Sequence, residues 1–115
     1  MTLEKTTASL SEVRRGVLEL ALLGLLAKEP GHGYALLERL SAFATLDIAA
    51  GTLYPLLRRL ERDRLVRADW TEPYGGPPRK VYTLSEPGSK RLRELTAVWR
   101  QLISDMNNIV EVDLS

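Results

Sequence analysis

The chain of 115 residues contains no cysteine and only one histidine, His32. Without thiolates, the sequence excludes a disulfide framework, a thiolate zinc site, an iron–sulfur cluster and a cysteine nucleophile. One histidine without a carboxylate cluster makes a poor metal site, and no nucleophile elbow is present. We therefore predict that the chain is not an enzyme and holds no metal or cofactor. His32 is assigned a local role in the turn before a helix.

Long apolar runs are also absent. The longest extends from Leu20 to Ala27, which is well short of the ~20 residues that cross a bilayer. The first residues lack the basic and apolar regions of a signal peptide. Hydrophobic residues make up 44% and charged residues 27% of the chain, as in ordinary globular proteins. These features predict a single-domain cytoplasmic protein that has no membrane partner.

Net charge is also low, at +1 for the whole chain. The charges are nevertheless unevenly distributed. Residues 50–95 contain ten Lys or Arg and six Asp or Glu, a net charge of +4, whereas the remainder carries −3. A basic middle between acidic flanks predicts that this region contacts an anion.

Apolar periodicity predicts three helices in the first half of the chain. Ser9 and Glu12 have the spacing of a capping box and would begin the first helix, which Pro30 ends. The second helix opens at His32. For the third helix we predict Thr52 as the N-cap, because Pro55 would then lie in the first turn, where its missing N–H does no harm.

The second half predicts a β-hairpin and one long helix. Strand-forming residues lie within 65–72 and 79–84, and the Pro- and Gly-rich loop 73–78 joins them. Ser85 would cap a helix that continues to Val110. At 1.5 Å per residue this helix is ~37 Å long, more than the small globule before it can cover.

The long helix carries an apolar seam with heptad spacing. We predict that the seam packs partly on a second copy of the chain, with packing on the first helix of the same chain as the alternative. The predicted dimer interface consists of Leu92, Leu95, Trp99, Leu102, Ile103, Met106 and Ile109.

The predicted fold class is therefore mainly α with a small β-hairpin. Three helices followed by a hairpin form the plan of a winged helix-turn-helix domain, predicted here over residues 9–84. Residues 85–112 would form the C-terminal dimerisation helix, which packs with the first helix as one structural unit.

Three motifs add a resemblance to a known family. They are LGLLAKEPGHGY at 23–34, GTLYPLLRRLE at 51–61 and GPPRKVYTLSEPG at 76–88. In sequence and spacing the chain resembles the small branch of the PadR-like transcriptional regulators. The resemblance implies a homodimeric winged-helix protein that binds double-stranded DNA at a palindromic operator, mostly as a repressor. Ala49 departs from the pattern, because it replaces a frequent serine and removes a hydroxyl that could cap the third helix or contact a phosphate.

One face of the third helix predicts the DNA contacts. On a helical wheel, the leucines fall on one side, and small, aromatic and basic residues on the other. Two basic residues after the hairpin loop would reach an adjacent groove or its phosphates. The predicted DNA-binding residues are Tyr34, Gly51, Thr52, Tyr54, Arg58, Arg59, Arg62, Arg79 and Lys80. The alternatives are a solvated charged face and a winged-helix protein-interaction module that binds no DNA.

The two tryptophans receive different predictions. Trp70 in the hairpin is expected to anchor the wing by packing beneath it. Trp99, in the middle of the seam, either packs at the dimer interface or lines a gap for a planar apolar effector. The resemblance supports the gap, since multidrug-sensing members of the family are thought to use a tryptophan of this helix in that way. Leu18 and Leu22 are the predicted apolar walls, and binding of such a small molecule, or an environmental signal, would release the operator.

Overall fold

The computed structural model describes residues 14, 16–72 and 74–110. In chain order these residues form α1 (Leu18–Lys28), β1 (Gly31–His32), α2 (Gly33–Ser41), a 3₁₀ turn (Ala44–Leu46), α3 (Ala50–Arg62), β2 (Val66–Thr71), β3 (Arg79–Leu84) and α4 (Glu86–Val110). The predicted class is confirmed, because the described chain is mainly helical with one small antiparallel sheet.

Helix α1 is the centre of the core. Its buried residues are Leu18, Leu22, Leu23 and Leu26. The helix ends at Lys28, where the guanidinium of Arg39 donates hydrogen bonds to the carbonyl oxygens of Leu25 at 2.6 Å and Glu29 at 2.9 Å. The Leu25 carbonyl also accepts from the Glu29 N–H at 3.1 Å, so Arg39 adds a second bond there and gives the carbonyl just after the helix a donor. The predicted start at Ser9 and Glu12 lies outside the described residues.

The sheet has three strands in the order β1-β3-β2, one more than the predicted hairpin. The hairpin itself is confirmed, with Val66 opposite Leu84 and Thr71 opposite Arg79. The additional strand, β1, is only two residues long and pairs His32 with Val81 of β3. A strand of this length has no periodicity from which the sequence could reveal it.

Helix α3 begins earlier than predicted. Its N-cap is Ala49, whose side chain makes no capping bond, and Thr52 lies inside the helix. Pro55 is therefore also an interior residue. Because proline has no N–H, the carbonyl of Gly51 receives no hydrogen bond from it. Both residues are exposed, so water can satisfy that carbonyl. The prediction of Thr52 as N-cap was wrong, since core packing rather than a side-chain cap fixes this end.

Helix α4 begins at Glu86, as predicted, and includes every described residue up to Val110. Ser85 caps it, because its hydroxyl oxygen accepts a hydrogen bond from the Gly88 N–H at 3.0 Å. The same hydroxyl donates to the carbonyl of Arg64 at 2.7 Å, which ties the helix to the turn after α3.

The apolar seam of α4 divides into two parts. Leu92 and Leu95 are half-buried and pack against the core of their own chain. In this part of α4 the seam thus makes contacts within its own chain, as in the alternative given for it. From Val98 onward the apolar residues are exposed, with Ile109 75% exposed.

Among the described residues, no helix is both long enough and apolar enough to cross a membrane. The same part of the chain brings together no group of three metal-ligating side chains.

Candidate nucleic-acid interface

Helix α3 presents two opposite faces. Leu53, Leu57 and Leu60 are fully buried against the core. The other face is exposed and contains Gly51, Thr52, Tyr54, Arg58 and Arg62. The buried leucines hold the helix on the domain, so the small, aromatic and basic side chains project outward.

The three arginines of α3 have different surroundings. Arg59 lies 3.8 Å from the carboxylate of Glu19 on α1, which also lies 3.7 Å from Arg91 on α4. Arg59 therefore has an acidic neighbour on another helix, although its side chain is 49% exposed. Arg62 lies 3.8 Å from Asp63, and such an exposed pair is weak.

Arg58 lies in the middle of the exposed face. Within the described residues, no carboxylate forms an ion pair with it. Its side chain is exposed, so the guanidinium can reach an external anion without giving up an internal one. Arg58 is the best candidate on α3 for a phosphate or base contact.

The hairpin of β2 and β3 is called the wing below. A cleft of about 430 Å³ opens where α2, α3 and the wing meet. It is lined by His32, Gly33, Tyr34, Tyr54, Trp70, Arg79, Lys80 and Tyr82. The structure thus brings together four of the predicted DNA contacts from three separate elements. The Tyr54 ring lies directly against Gly33, so a β-carbon at this position would have to displace the ring.

Lys80 is less available than the sequence predicts. Its ammonium donates a hydrogen bond to Glu61 at 2.9 Å and lies 5.7 Å from the ring centre of Tyr82. The hydrogen bond to Glu61 raises the pKa of Lys80, so the amine stays charged but is engaged. The sequence concealed this pairing, since Glu61 and Lys80 meet only when the wing folds onto α3.

The tyrosines of the cleft are neutral hydrogen-bonding groups. The neighbouring Glu38 carboxylate raises the pKa of Tyr34, and burial raises the pKa of Tyr82. Both phenols therefore keep their protons at neutral pH. Tyr34 is 61% exposed and can donate to a ligand at the rim of the cleft.

Arg79 and His32 meet across the β1–β3 pair. The Nη1 atom of Arg79 lies 3.1 Å from Nε2 of His32. The other imidazole nitrogen, Nδ1, accepts a hydrogen bond from the Ala35 N–H at 3.2 Å, so His32 is the N-cap of α2. This bond confirms the local role predicted for the histidine.

Trp70 corrects a prediction. Instead of packing beneath the wing, it is 70% exposed and lines the cleft. Trp70 lies on the same face of β2 as Val66 and Ala68. The strand, however, extends past the end of the core, so no core residue lies beneath the Trp70 side chain. Trp70 lies opposite Lys80 in the sheet.

A second cavity, of about 440 Å³, lies beside Trp99. Its apolar walls are Leu20 and Ala21 of α1 and Val17 just before that helix. Leu18 and Leu22, the predicted walls, are instead core residues with 6% and 0% exposure. Because α1 is apolar on nearly all sides, the sequence could not show which of its faces points into the core and which lines the cavity.

Comparisons with known proteins agree with this geometry. A family model described as the transcriptional regulator PadR-like family matches residues 22–94. A PadR family transcriptional regulator from Eggerthella lenta is 36% identical, with 96% of both chains covered and a TM-score of 0.85. A PadR-like transcription factor from Bacteroides fragilis is 42% identical over 87% of this chain and 96% of that chain, with a TM-score of 0.73.

Another similar structure is Bacillus subtilis PadR in complex with operator DNA. It is 27% identical, with 70% of this chain and 46% of that chain covered and a TM-score of 0.62. The family model spans most of α1, all of α2 and α3, the wing and the start of α4. Its members are regulators rather than enzymes, as the sequence predicted. The chain belongs to the PadR-like family of transcriptional regulators.

Proposed function

We propose that this chain is a homodimeric regulator that binds double-stranded DNA through α3 and the wing. The observation that carries the proposal is the exposed face of α3, where Gly51, Tyr54 and Arg58 project from a helix fixed by three buried leucines. A helix of this kind fits the major groove. The operator complex of the Bacillus subtilis protein supports the same use of the fold.

The operator would be an inverted repeat, because a twofold-symmetric dimer presents two equivalent α3 helices. Their half-sites would lie about one helical turn apart, ~34 Å. Binding at a promoter would repress transcription by occupying it. The exposed apolar side of α4, formed by Val98, Trp99, Leu102, Ile103, Met106, Ile109 and Val110, would hold the two protomers together.

An effector would act through the cavity beside Trp99. A planar apolar molecule fits its walls, which are apolar on α1 and include the indole. Release of DNA requires that this molecule bind one arrangement of the protomers more tightly than the other. Titration of the folded dimer with a planar apolar dye, followed by Trp99 fluorescence in a Trp70→Phe background, tests this part of the proposal.

The first experiment is a salt titration of binding to random duplex DNA, with sedimentation to fix the oligomeric state. The proposal expects a dimer whose affinity falls steeply as salt rises, because phosphate contacts release counterions. A dimer without DNA affinity at low salt would contradict the proposal and favour a protein-interaction module.

Replacing Arg58 tests the α3 face directly. We expect Arg58→Gln to weaken DNA binding and to lower the slope of log K against log salt by about 0.9. Arg100→Gln is the matched control, because it removes the same charge from an exposed position on α4. Arg59→Gln should have the smaller effect, since Arg59 faces Glu19. Equal slopes for all four proteins would remove Arg58 from the interface.

Gly51→Ala separates binding from folding. No atom lies within 4 Å of a β-carbon built at Gly51, and alanine in a helix is more stable than glycine by about 0.5–1 kcal/mol. The melting temperature should therefore rise. DNA affinity should fall about tenfold, because the methyl group keeps the backbone away from the groove. Thermal melts and binding isotherms of the same preparation measure both effects, and unchanged affinity would show that α3 does not approach DNA at this point.

A further inference from the structure

The single imidazole of the chain has a hydrogen-bonding conflict. Its Nδ1 lies 3.2 Å from the backbone N–H of Ala35, and its Nε2 lies 3.1 Å from a guanidinium nitrogen of Arg79. A backbone N–H and a guanidinium are both donors and never acceptors. A neutral imidazole offers one acceptor nitrogen and one N–H. No neutral tautomer of His32 can therefore satisfy both neighbours.

The helix cap decides which nitrogen carries the proton. Since Nδ1 accepts from Ala35, the proton of the neutral ring is on Nε2. The Nε2–H of His32 and an N–H of Arg79 are then two donors side by side without an acceptor. The nearby carboxylate of Glu61 is engaged with Lys80 at 2.9 Å. Among the described residues, none forms an ion pair with Arg79.

We propose that His32 and Arg79 together bind one anionic oxygen, and that this oxygen belongs to a backbone phosphate of duplex DNA. A phosphate oxygen accepts from both donors at once and removes the conflict. The inference rests on the proposed function. It extends that function by adding His32, a helix-capping residue, to the DNA contacts.

The position of the pair favours DNA as the source of the phosphate. Both side chains line the cleft between α2, the wing and Tyr54 of α3. A duplex that receives the exposed face of α3 in its major groove brings its backbone past this cleft. Arg79 also lies at the start of β3, next to the wing loop. Free inorganic phosphate shares the chemistry and is distinguished by the test.

The proposal also explains the two-residue strand β1. Its pairing with β3 places Gly31 opposite Tyr82 and His32 opposite Val81. This register brings the N-cap of α2 beside Arg79 across the sheet. The strand therefore joins the start of α2 to the wing, and these two elements would bind the same phosphate.

His32→Asn is the informative variant. Asparagine is a good N-cap, so the Ala35 N–H keeps an acceptor and the melting temperature should stay close to that of the wild type. The shorter side chain places no donor where Nε2–H lies. We expect DNA affinity to fall about tenfold, as for the loss of one hydrogen bond to a charged group.

A double-mutant cycle with Arg79→Gln tests whether the two residues share one phosphate. If they do, the double variant should lose clearly less affinity than the product of the two single losses. Losses that multiply would overturn the shared site, and wild-type affinity of His32→Asn would overturn the role of His32. The Arg100→Gln variant controls for the change in charge.

Nuclear magnetic resonance provides a readout that a purely structural role would not move. Because the chain has one histidine, the imidazole nitrogen signals belong to His32 without further assignment. The two ring nitrogens can therefore be observed individually. Without DNA, the spectrum of the neutral ring should show the Nε2–H tautomer, because Nδ1 accepts from Ala35. Addition of duplex DNA should shift that signal in the wild type, and much less in Arg79→Gln.

The two levels of the proposal fail in different ways. Steep, salt-dependent DNA binding without a shift of the imidazole signal would overturn this inference and leave the proposed function intact. If the wild type binds no DNA, the proposed function fails and DNA is excluded as the source. A shift caused by inorganic phosphate alone, absent in Arg79→Gln, would then support the anion site itself, and no shift would overturn it.

Discussion

A protein carrying Leu102→Asp and Met106→Asp is expected to sediment as a monomer and to lose about 10³-fold in affinity for an inverted-repeat operator. Both side chains lie on the exposed apolar part of α4. A carboxylate buried in an apolar interface keeps its desolvation cost without a partner. A monomer then binds one half-site without the second, which forfeits the gain of about 10²- to 10⁴-fold that linked sites provide.

The effect on folding should be small, because the substitutions lie beyond the part of α4 that packs on the core. Leu92 and Leu95 contact that core, whereas the helix is exposed from Ala97 to Val110. The folded monomer can be verified by its circular dichroism and melting temperature.

The matched control is Ser104→Asp with Asn108→Asp. It adds the same charge to the same stretch of α4, on the side of the helix opposite to the seam. This control should remain dimeric and bind the operator like the wild type. A dimer formed by the Leu102→Asp, Met106→Asp protein would show that α4 does not join the protomers. Loss of dimer in both proteins would attribute the effect to charge alone.

Local signals were sufficient to predict most of the fold. The start of α4 was predicted correctly because Ser85, Glu86 and Pro87 form a start signal, and its helical course because the seam repeats at heptad spacing. The hairpin was predicted because strand-forming residues flank a loop rich in proline and glycine. Each of these features is contained in a short stretch of sequence, so no tertiary contact was needed.

The errors concern features that depend on distant parts of the chain. The start of α3 is set by the packing of its leucines rather than by the hydroxyl of Thr52. Glu61 pairs with Lys80, a residue 19 positions away in the chain, so the Lys80 ammonium already has an internal partner. Trp70 is exposed because the core ends before it, which alternation along one strand cannot reveal. The same limit applies to His32, whose neighbour Arg79 is 47 positions away.

Gly88→Ala is expected to destabilise the protein by about 3 kcal/mol, since overpacking at a rigid site has costs of this size. For a domain of this length, the melting temperature would fall by about 15 °C. Gly88 is buried in the first turn of α4. A β-carbon there would overlap the carbonyl oxygen of Leu65 and approach the Cδ1 of Leu84 to 2.7 Å.

The obstacle at Gly88 is backbone, and it is held in place from several sides. The Leu65 carbonyl accepts a hydrogen bond from the Ser85 N–H at 3.2 Å, and the Leu65 N–H donates to Leu60 at 2.9 Å. The preceding residue, Arg64, has a φ of 61°, which an L-residue adopts at a cost. The turn therefore cannot move away, and α4 must shift instead. Because α4 carries the proposed dimer surface, such a shift would also change the distance between the two α3 helices.

Gly24→Ala is the control that separates the clash at Gly88 from the loss of a glycine. Gly24 lies inside α1, and no atom lies within 4 Å of a β-carbon built there. Alanine should stabilise that helix by about 0.5–1 kcal/mol. Chemical denaturation of both variants measures the two free energies of unfolding, which should change in opposite directions. If Gly88→Ala unfolds with wild-type stability, the contact between α4 and the turn at Leu65 is loose, and α4 is free to set the half-site spacing without it.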